Sequence, residues 1–257
     1  MKKILLVTVA AFGFAGAASA ADLPARMPVK APPVIAPVFS WTGCYVGGYV
    51  GGAWSSDDTV ATDRNGVIVR PGSWGYSTDS SFIGGGTVGC NWQPVGSPFV
   101  LGLEGEVGYM HLTGTGIDPL SAGATTLYSN TKIGDWYGIV AGRLGYSFDR
   151  ALIYVKGGVA FVDVENSIAQ PGTGAYASAS QTKATWTVGG GLEYALDMNW
   201  SVKAEYMYIG LDQTQTVTAP IAGGGFANWD HANSGIQTAK VGINYRFGGG
   251  APLVARY

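Results

Sequence analysis

The feature that most constrains this chain is a two-residue alternation that keeps ionised side chains on one face of its predicted strands. Eight segments show it: 41–54, 82–92, 99–111, 135–148, 151–162, 184–196, 199–210 and 236–247. Successive residues of a strand point to opposite faces, so the larger apolar side chains share one face and the charged ones share the other. A Lys or Arg turned toward hydrocarbon at mid-depth would cost about 2–4 kcal/mol, so surrounding lipid would impose this separation. A soluble sandwich would show a similar alternation, and the connections must distinguish the two.

The connections between these segments alternate strictly between long and short. Segments 93–98, 149–150 and 197–199 are short, whereas 55–81, 112–134, 163–183 and 211–235 are long and rich in Gly, Ser, Thr and Asn. Outer-membrane barrels have short turns at one end and long loops at the other, whereas a sandwich has no reason to sort its loops in this way. The pattern therefore favours an up-and-down barrel in a membrane.

Aromatic residues occur at both ends of the predicted strands, as membrane interfaces favour. The short-turn end has Trp41, Trp92, Phe99, Tyr146, Phe148, Tyr194, Trp200, Tyr245 and Phe247, and the long-loop end has Phe82, Tyr109, Trp136, Phe161, Trp186 and Tyr208. The step from Trp136 to Tyr146 spans about 25 Å of height at a ~40° strand tilt, which matches an outer-membrane hydrocarbon layer. Only 12% of the residues are charged, about half the share of a soluble domain. We predict an all-β fold, an eight-stranded antiparallel up-and-down transmembrane β-barrel (OmpA/OmpX-like).

The ends of the chain predict secretion. Residues 1–20 have a positive start, an apolar run and the small-residue site Ala18-Ser19-Ala20, which indicates a signal peptide cleaved after Ala20. Residues 21–40 contain five prolines and form a predicted periplasmic leader. The barrel is predicted at 41–247 and a tail at 248–257, with both termini of the mature chain in the periplasm.

Charged residues on the other strand face should fill the barrel lumen. By alternation these are Glu104, Glu106, Asp135, Glu193 and Glu205 together with Arg143, Lys156, Lys203, Lys240 and Arg246. An eight-stranded barrel is just wide enough for side chains to fill. Two interpretations follow: a polar pore that conducts ions, or a hydrogen-bonded plug, which the narrow diameter favours.

The two cysteines should meet at one level of the barrel. Cys44 lies near the start of the first strand and Cys90 near the end of the second, and an oxidising compartment permits a disulfide. Simple alternation, however, turns Cys44 inward and Cys90 outward, and a bulge in Gly84-Gly85-Gly86 would be needed to align them. A disulfide and two free thiols both remain open at this point. Neither cysteine has a His or second Cys at ligand spacing, so no metal site is predicted.

No enzymatic site or cofactor emerges from the sequence. The two histidines are His111, at the long-loop end of a strand, and His231, in the last long loop beside Asp230. No nucleophile is tied to either by spacing. With a net charge of −2 and no basic stripe, no nucleic-acid partner is expected.

Several motifs resemble those of the alphaproteobacterial small outer-membrane barrels, the porin-like surface antigens of brucellae and rhizobia. The similarity covers the mature chain and lies in the leader that begins Ala21-Asp22-Leu23-Pro24, the first-strand run 41–48, the run 89–93 and the closing run 241–247. Members often have an aromatic residue where Cys44 and Cys90 stand, and the double replacement implies that these cysteines pair. The last strand, with Tyr245 and Phe247 outward, resembles the signal read by the barrel-assembly machinery, for which Tyr257 is the other candidate terminal aromatic.

The resemblance implies location more strongly than activity, since members are described as structural surface proteins, porins or haemin binders. We expect a structural, surface-exposed outer-membrane protein that contacts lipid and lipopolysaccharide and supports envelope integrity. The alternatives are a narrow porin for small hydrophilic solutes and a surface receptor for a ligand such as haem, with His231 as a candidate ligand. Homo-oligomerisation is left open by the sequence.

Overall fold

The structure, a computed structural model, describes residues 39–56, 58–63, 73–119, 121–123, 126–211, 214–220, 226–233 and 235–247. The predicted signal peptide, nearly all of the leader and the tail 248–257 lie outside the described residues. Among the described residues, no helix is long and apolar enough to cross a membrane. The strands of this part of the chain are β1 (Gly43–Ser55), β2 (Thr59–Asp63), β3 (Ser73–Tyr76), β4 (Ser81–Trp92), β5 (Phe99–Ile117), β6 (Tyr128–Phe148), β7 (Ala151–Gln170), β8 (Ala175–Ala195), β9 (Trp200–Ile209), β10 (Thr214–Pro220), β11 (Phe226–Ala232) and β12 (Ile236–Phe247).

Eight of these strands close into an antiparallel barrel in the order β1-β12-β9-β8-β7-β6-β5-β4. Each predicted strand corresponds to one barrel strand, so the predicted fold class is confirmed. The seam pairs the first strand with the last, from Cys44 opposite Phe247 to Ser55 opposite Ile236. The tightest connection, Asp149-Arg150, places Asp149 at φ 55°, a left-handed conformation that Asp tolerates better than most residues.

The loops predicted at 112–134 and 163–183 are mostly strand, which corrects the sequence interpretation. β5 and β6 stay paired out to Ile117 opposite Tyr128, and β7 and β8 out to Gln170 opposite Ala175. Their Thr, Ser and small residues alternate in burial, so these segments carry the period of a strand although their composition is that of a loop. The four strands β5 to β8 therefore extend beyond the other barrel strands at the long-loop end, and we call this extension the wall.

The other two predicted loops, 55–81 and 211–235, fold into a second sheet in the order β10-β11-β2-β3. This sheet packs against the wall formed by β5 to β8, and the two enclose a core of Ala61, Trp74, Tyr76, Leu127, Ile168, Val217 and Trp229. We call this assembly the loop-end sandwich. The sequence interpretation missed it because its strands are only four to seven residues long.

The outward face of the barrel is apolar between two aromatic bands. Leu103, Val140 and Val155 are among its exposed side chains, Phe148 and Trp200 mark the short-turn end, and Trp136 and Trp186 mark the long-loop end. Trp41 is an exception, because it is fully buried rather than part of the short-turn band. The chain turns inward before β1, and Trp41 Nε1 donates a hydrogen bond to the Asp149 carbonyl (3.1 Å).

Two apolar layers lie above and below the middle of the lumen. At the short-turn end, Trp41 packs with Phe39, Val100, Leu152, Tyr154 and Ala195. Toward the long-loop end, a larger buried cluster includes Tyr49, Ile83, Met110, Leu112, Ile133, Tyr137, Ile139, Val162, Val164, Met207, Ile209 and Ile236. The charged residues of the lumen therefore lie between hydrophobic layers.

Candidate functional site in the barrel lumen

Eight of the ten predicted lumen residues form one buried ion network. Alternation on β5 to β9 and β12 turns them inward, and each is at most 6% exposed. This lumen ion network consists of Glu104, Glu106, Glu193 and Glu205 with Arg143, Lys156, Lys203 and Lys240. Four acids face four bases, so the charges within this network balance, as the cost of an unpaired buried charge favours.

Lys156 lies at the centre of the network. Its Nζ is 2.6 Å from Glu104 Oε1, 2.9 Å from Glu205 Oε2 and 3.5 Å from Glu106 Oε2. Carboxylate oxygens of these three glutamates lie within 4.8 Å of one another, a spacing that would suit a metal ion. The lysine ammonium already occupies the place that a cation would take, so this cluster is an ion-paired core and not a metal site.

The other bases complete the pairing. Lys240 Nζ lies 2.6 Å from Glu106 Oε1 and 2.9 Å from Glu205 Oε1, and Lys203 Nζ lies 3.4 Å from Glu104 Oε1. Arg143 pairs with Glu193 and stacks over the Tyr154 ring at 3.6 Å. Glu193 also accepts hydrogen bonds from Ser201 Oγ (2.5 Å) and Asn244 Nδ2 (2.8 Å).

Tyrosines that the sequence interpretation missed complete the network. Tyr45 donates to Glu104 (2.5 Å), Tyr137 to Glu106 (3.0 Å) and Tyr154 to Glu205 (2.9 Å), and Tyr49 bonds the Tyr137 hydroxyl (2.8 Å). On the first strand, placing the larger apolar groups outward gave the wrong face, because Tyr45 and Tyr49 point inward and Val46 and Val50 point outward. The signal was available: a Tyr hydroxyl needs a partner that lipid cannot provide, whereas Val does not.

Asp135 was predicted in the lumen and lies instead on the outer rim, with its side chain 44% exposed. The register of β6 against β7 shifts between Ile133 and Tyr137, and Gly134 takes φ 109°. This bulge turns Asp135 away from the apolar layer that Met110 and Ile133 occupy. Nothing in the residue alternation indicates a bulge, except the Gly immediately before the Asp.

Arg246 is buried but separate from the network. Its guanidinium lies 4.8 Å from both the Phe39 and Trp41 rings, and Nη1 donates to the Ser40 carbonyl (2.7 Å). It therefore fixes the residues that cover the short-turn end. Lys183, which the sequence interpretation placed outside the strands, is a further buried base, on β8 beyond the predicted start of that strand at 184.

Cys44 and Cys90 face each other across β1 and β4 and form a disulfide (S–S 2.06 Å). Both side chains point outward, so the inward orientation expected for Cys44 is wrong and no bulge is needed. This error has the same origin as that for Tyr45, since the whole face of the first strand was reversed. Tyr245 and Phe247 stack on the outer face of β12 (5.2 Å between centroids), while Tyr257 lies outside the described residues.

The two histidines occupy different environments. His231 lies on β11 inside the loop-end sandwich, is fully buried, and its Nε2 is 2.7 Å from Ser129 Oγ. Burial lowers its pKa to about 4. A haem iron would therefore find neither an exposed ring nor a free Nε2 at this position, which corrects the expectation of a loop ligand. His111 is exposed, and its Nδ1 lies 2.9 Å from Asp135 Oδ1.

Comparisons with known proteins place these features in a family. Residues 7–247 match the family described as the outer membrane protein beta-barrel domain. The 31 kDa outer-membrane immunogenic protein of Brucella melitensis is 34% identical over 175 residues, covering 66% of this chain and 68% of the relative. The 22 kDa outer membrane protein of Rhizobium leguminosarum bv. viciae is 30% identical over 159 residues, covering 62% and 63%.

A solved structure shows the same fold at low sequence identity. The outer membrane protein OprG from Pseudomonas aeruginosa aligns with a TM-score of 0.55 at 14% identity, covering 82% of this chain and 99% of that one. This similarity concerns the fold alone.

Proposed function

The chain belongs to the outer membrane protein beta-barrel family, and we propose that it is a structural, surface-exposed barrel that supports envelope integrity without conducting solutes. In this proposal the short turns and both termini of the mature chain face the periplasm after cleavage behind Ala20, and the loop-end sandwich faces outward. The barrel-assembly machinery, outer-membrane lipid and lipopolysaccharide are the proposed partners, and self-association stays an open prediction.

The main support for the proposal is that side chains fill the lumen. The lumen ion network lies between two buried apolar layers. A permeating ion would have to displace paired charges and then cross side chains such as Leu112 and Ile209, which offer it no polar contact. A lumen of this kind suits a rigid strut better than a pore.

Single-channel recording tests the proposal against its main alternative, a narrow porin. Purified protein refolded into a planar bilayer should give no discrete conductance steps. A variant of the apolar layer, Leu112→Ser with Ile209→Ser, serves as the matched comparison for detecting a leak. Reproducible steps from the wild type would contradict the structural role and favour the porin.

A second experiment addresses the envelope directly. Cells that lack the protein should admit a hydrophobic fluorescent dye faster than the parent strain, and a copy of the gene should restore the barrier. Unchanged dye entry would count against an envelope role. The proposal includes no enzymatic activity: the His111 ring contacts Asp135, whereas the hydrogen bond from His111 to Ser81 Oγ is donated by the backbone N–H, and His231 is buried together with its partner Ser129.

A further inference from the structure

The bulge in β6 builds a polar cluster on the outer face of the barrel rim. Gly134 at φ 109° lies directly before Asp135, and a side chain at Gly134 would collide with the Met110 carbonyl. The register shift places residues 134–136 opposite Asp163 alone. Bulges commonly re-aim a side chain, and here the re-aimed group is a carboxylate.

Asp135 connects two donors from neighbouring positions. His111 Nδ1 lies 2.9 Å from Oδ1, and Lys132 Nζ donates to Oδ2 at 2.8 Å. The three side chains are 43%, 36% and 44% exposed for His111, Lys132 and Asp135. Each donor makes one contact with Asp135, so the His111 ring has a second nitrogen, and the Lys132 ammonium further N–H groups, with which to contact a ligand.

The cluster lies at the depth where lipid headgroups meet a barrel. Tyr109 and Trp136, a T-shaped pair with centroids 6.1 Å apart, belong to the aromatic band of the long-loop end. His111 is two residues farther along β5 on the same face as Tyr109. Aromatic residues mark the boundary between hydrocarbon and headgroups, so the cluster is level with headgroup phosphates.

Exposed cations are scarce in the part of the chain that the structure describes. Of the lysines and arginines that the structure describes, only Lys132 and Arg150 are not buried. Arg150 lies in the short turn between β6 and β7, at the opposite end of the barrel. Among the described residues the two therefore form a matched pair, with one exposed base at each end of the barrel.

We propose that His111, Lys132 and Asp135 bind the phosphate group of an outer-leaflet glycolipid. This inference rests on the proposed orientation of the barrel. The Lys132 ammonium and Nε2–H of the imidazolium form of His111 donate to the phosphate, while Asp135 accepts a hydrogen bond from each of the two side chains and holds them in place. Glu165, opposite Lys132 in the register, and Asp163 lie on the same outward face and reduce attraction for a free anion. When the acyl chains of a glycolipid already lie against the aromatic band, the local concentration of its phosphate group is high, and this overcomes the repulsion.

Titration of the refolded full chain in detergent micelles tests the proposal. The probes are diphosphorylated lipid A, dephosphorylated lipid A and inorganic phosphate. Native mass spectrometry counts the lipid molecules that the protein retains. Charge-assisted hydrogen bonds are the stronger ones, so Lys132→Gln and His111→Gln should each weaken binding of diphosphorylated lipid A by roughly tenfold. Arg150→Gln makes the same kind of change at the other end and should leave binding unchanged. Heat-dependent gel mobility establishes that each variant is folded.

The outcomes separate the sources of phosphate and the two proposals. Wild-type affinity in both rim variants, or equal binding of dephosphorylated lipid A, would overturn the site. Full displacement of lipid A by millimolar inorganic phosphate would also overturn it, because the acyl chains would then contribute nothing. If the wild type conducts ions but still prefers diphosphorylated lipid A, the structural role is refuted and this site is supported. If the wild type does not conduct and the rim variants bind lipid A with wild-type affinity, the structural role is supported and this site is refuted.

Discussion

The barrel lumen and the loop-end sandwich both bury polar side chains, but they satisfy them in different ways. In the lumen, four carboxylates face four bases, and each of the eight residues is at most 6% exposed. In the sandwich, a neutral chain of hydrogen bonds runs from His231 through Ser129, Tyr76, Thr131, Asn166 and Gln215 to the Ala179 carbonyl. We call the first six of these residues the neutral relay.

The difference shows what each environment permits. The lumen is a closed cylinder in which six of the eight strands, β5 to β9 and β12, contribute charged residues, so opposite charges from several directions can converge on one point such as Lys156. The sandwich is two sheets packed face to face, and its polar side chains meet either between the sheets, as Asn166 and Gln215 do, or between neighbouring strands of one sheet, as Thr131 and Asn166 do. Neutral groups are cheaper to bury than ions when few partners are within reach. Replacements that leave a charge unpaired should therefore cost more than those that shorten the relay.

The largest effect should come from the centre of the lumen ion network. Lys156→Met keeps the length of the side chain but leaves Glu104, Glu106 and Glu205 without their shared base. Removing one partner of a buried ion pair destabilises by about 3–5 kcal/mol, and we expect a loss of that size in the free energy of unfolding. Urea unfolding in detergent micelles measures it as a lower midpoint.

Lys203→Met is the control for this prediction. Lys203 contacts one glutamate of the network, Glu104, with its nearest oxygen at 3.4 Å. Its removal should cost clearly less than removal of Lys156. Equal losses for the two variants would show that position within the network does not matter.

The sequence predicts the barrel well because one physical rule acts along every strand. Lipid excludes charge from the outer face, so alternation reveals both the strands and residues such as Glu193 and Lys240 that point inward. The rule fails where its assumption fails. At Tyr45 an amphipathic ring occupies the lumen, and at Asp135 a bulge breaks the alternation on which the assignment depends.

The sandwich was not predictable by the same reasoning. Its strands are short, its outer face is wet, and residues such as Thr131, Asn166 and Gln215 suit a loop as well as a strand. No bilayer enforces an apolar face there. Only the pairing of strands distant in sequence, such as β2 with β11, reveals that His231 is enclosed.

The second prediction concerns acid and the neutral relay. Burial holds the pKa of His231 near 4, whereas an exposed histidine titrates near 6.5. The unfolded ring thus binds protons at a higher pH than the folded one, and stability of the sandwich is full above pH 6.5 and falls as the pH drops toward 4. The loss should reach roughly 3 kcal/mol, at about 1.4 kcal/mol per pH unit. Fluorescence of Trp74 and Trp229 in the sandwich core reports the opening.

His231→Gln separates the relay from general acid effects, because Gln can still bond Ser129 but does not titrate in this range. The pH dependence of the Trp fluorescence should be reduced in this variant, while the pH at which the barrel itself unfolds should be unchanged. If both proteins open along the same pH curve, His231 is not the group responsible.

The smallest effects sharpen the comparison most directly, because they remove the same atom from both regions. Tyr154→Phe deletes a hydroxyl that donates to the Glu205 carboxylate, and Tyr76→Phe deletes one that contacts the hydroxyls of Ser129 and Thr131. Hydrogen bonds to charged groups contribute about 1.5–3 kcal/mol and neutral ones about 1 kcal/mol. Tyr154→Phe should therefore lower the urea midpoint more than Tyr76→Phe does, at an unchanged slope.

The comparison depends on which of the two variants, Tyr154→Phe or Tyr76→Phe, loses more stability. The ring of residue 154 stays in either variant, so Arg143 keeps its stacking surface at 3.6 Å and the difference isolates the hydroxyl. In the relay, Ser129 retains His231 and Thr131 retains Asn166 after Tyr76 loses its oxygen. The remaining partners thus limit the damage in the sandwich. A larger loss for Tyr76→Phe would mean that the relay, and not the ion network, is the more tightly constrained of the two polar cores.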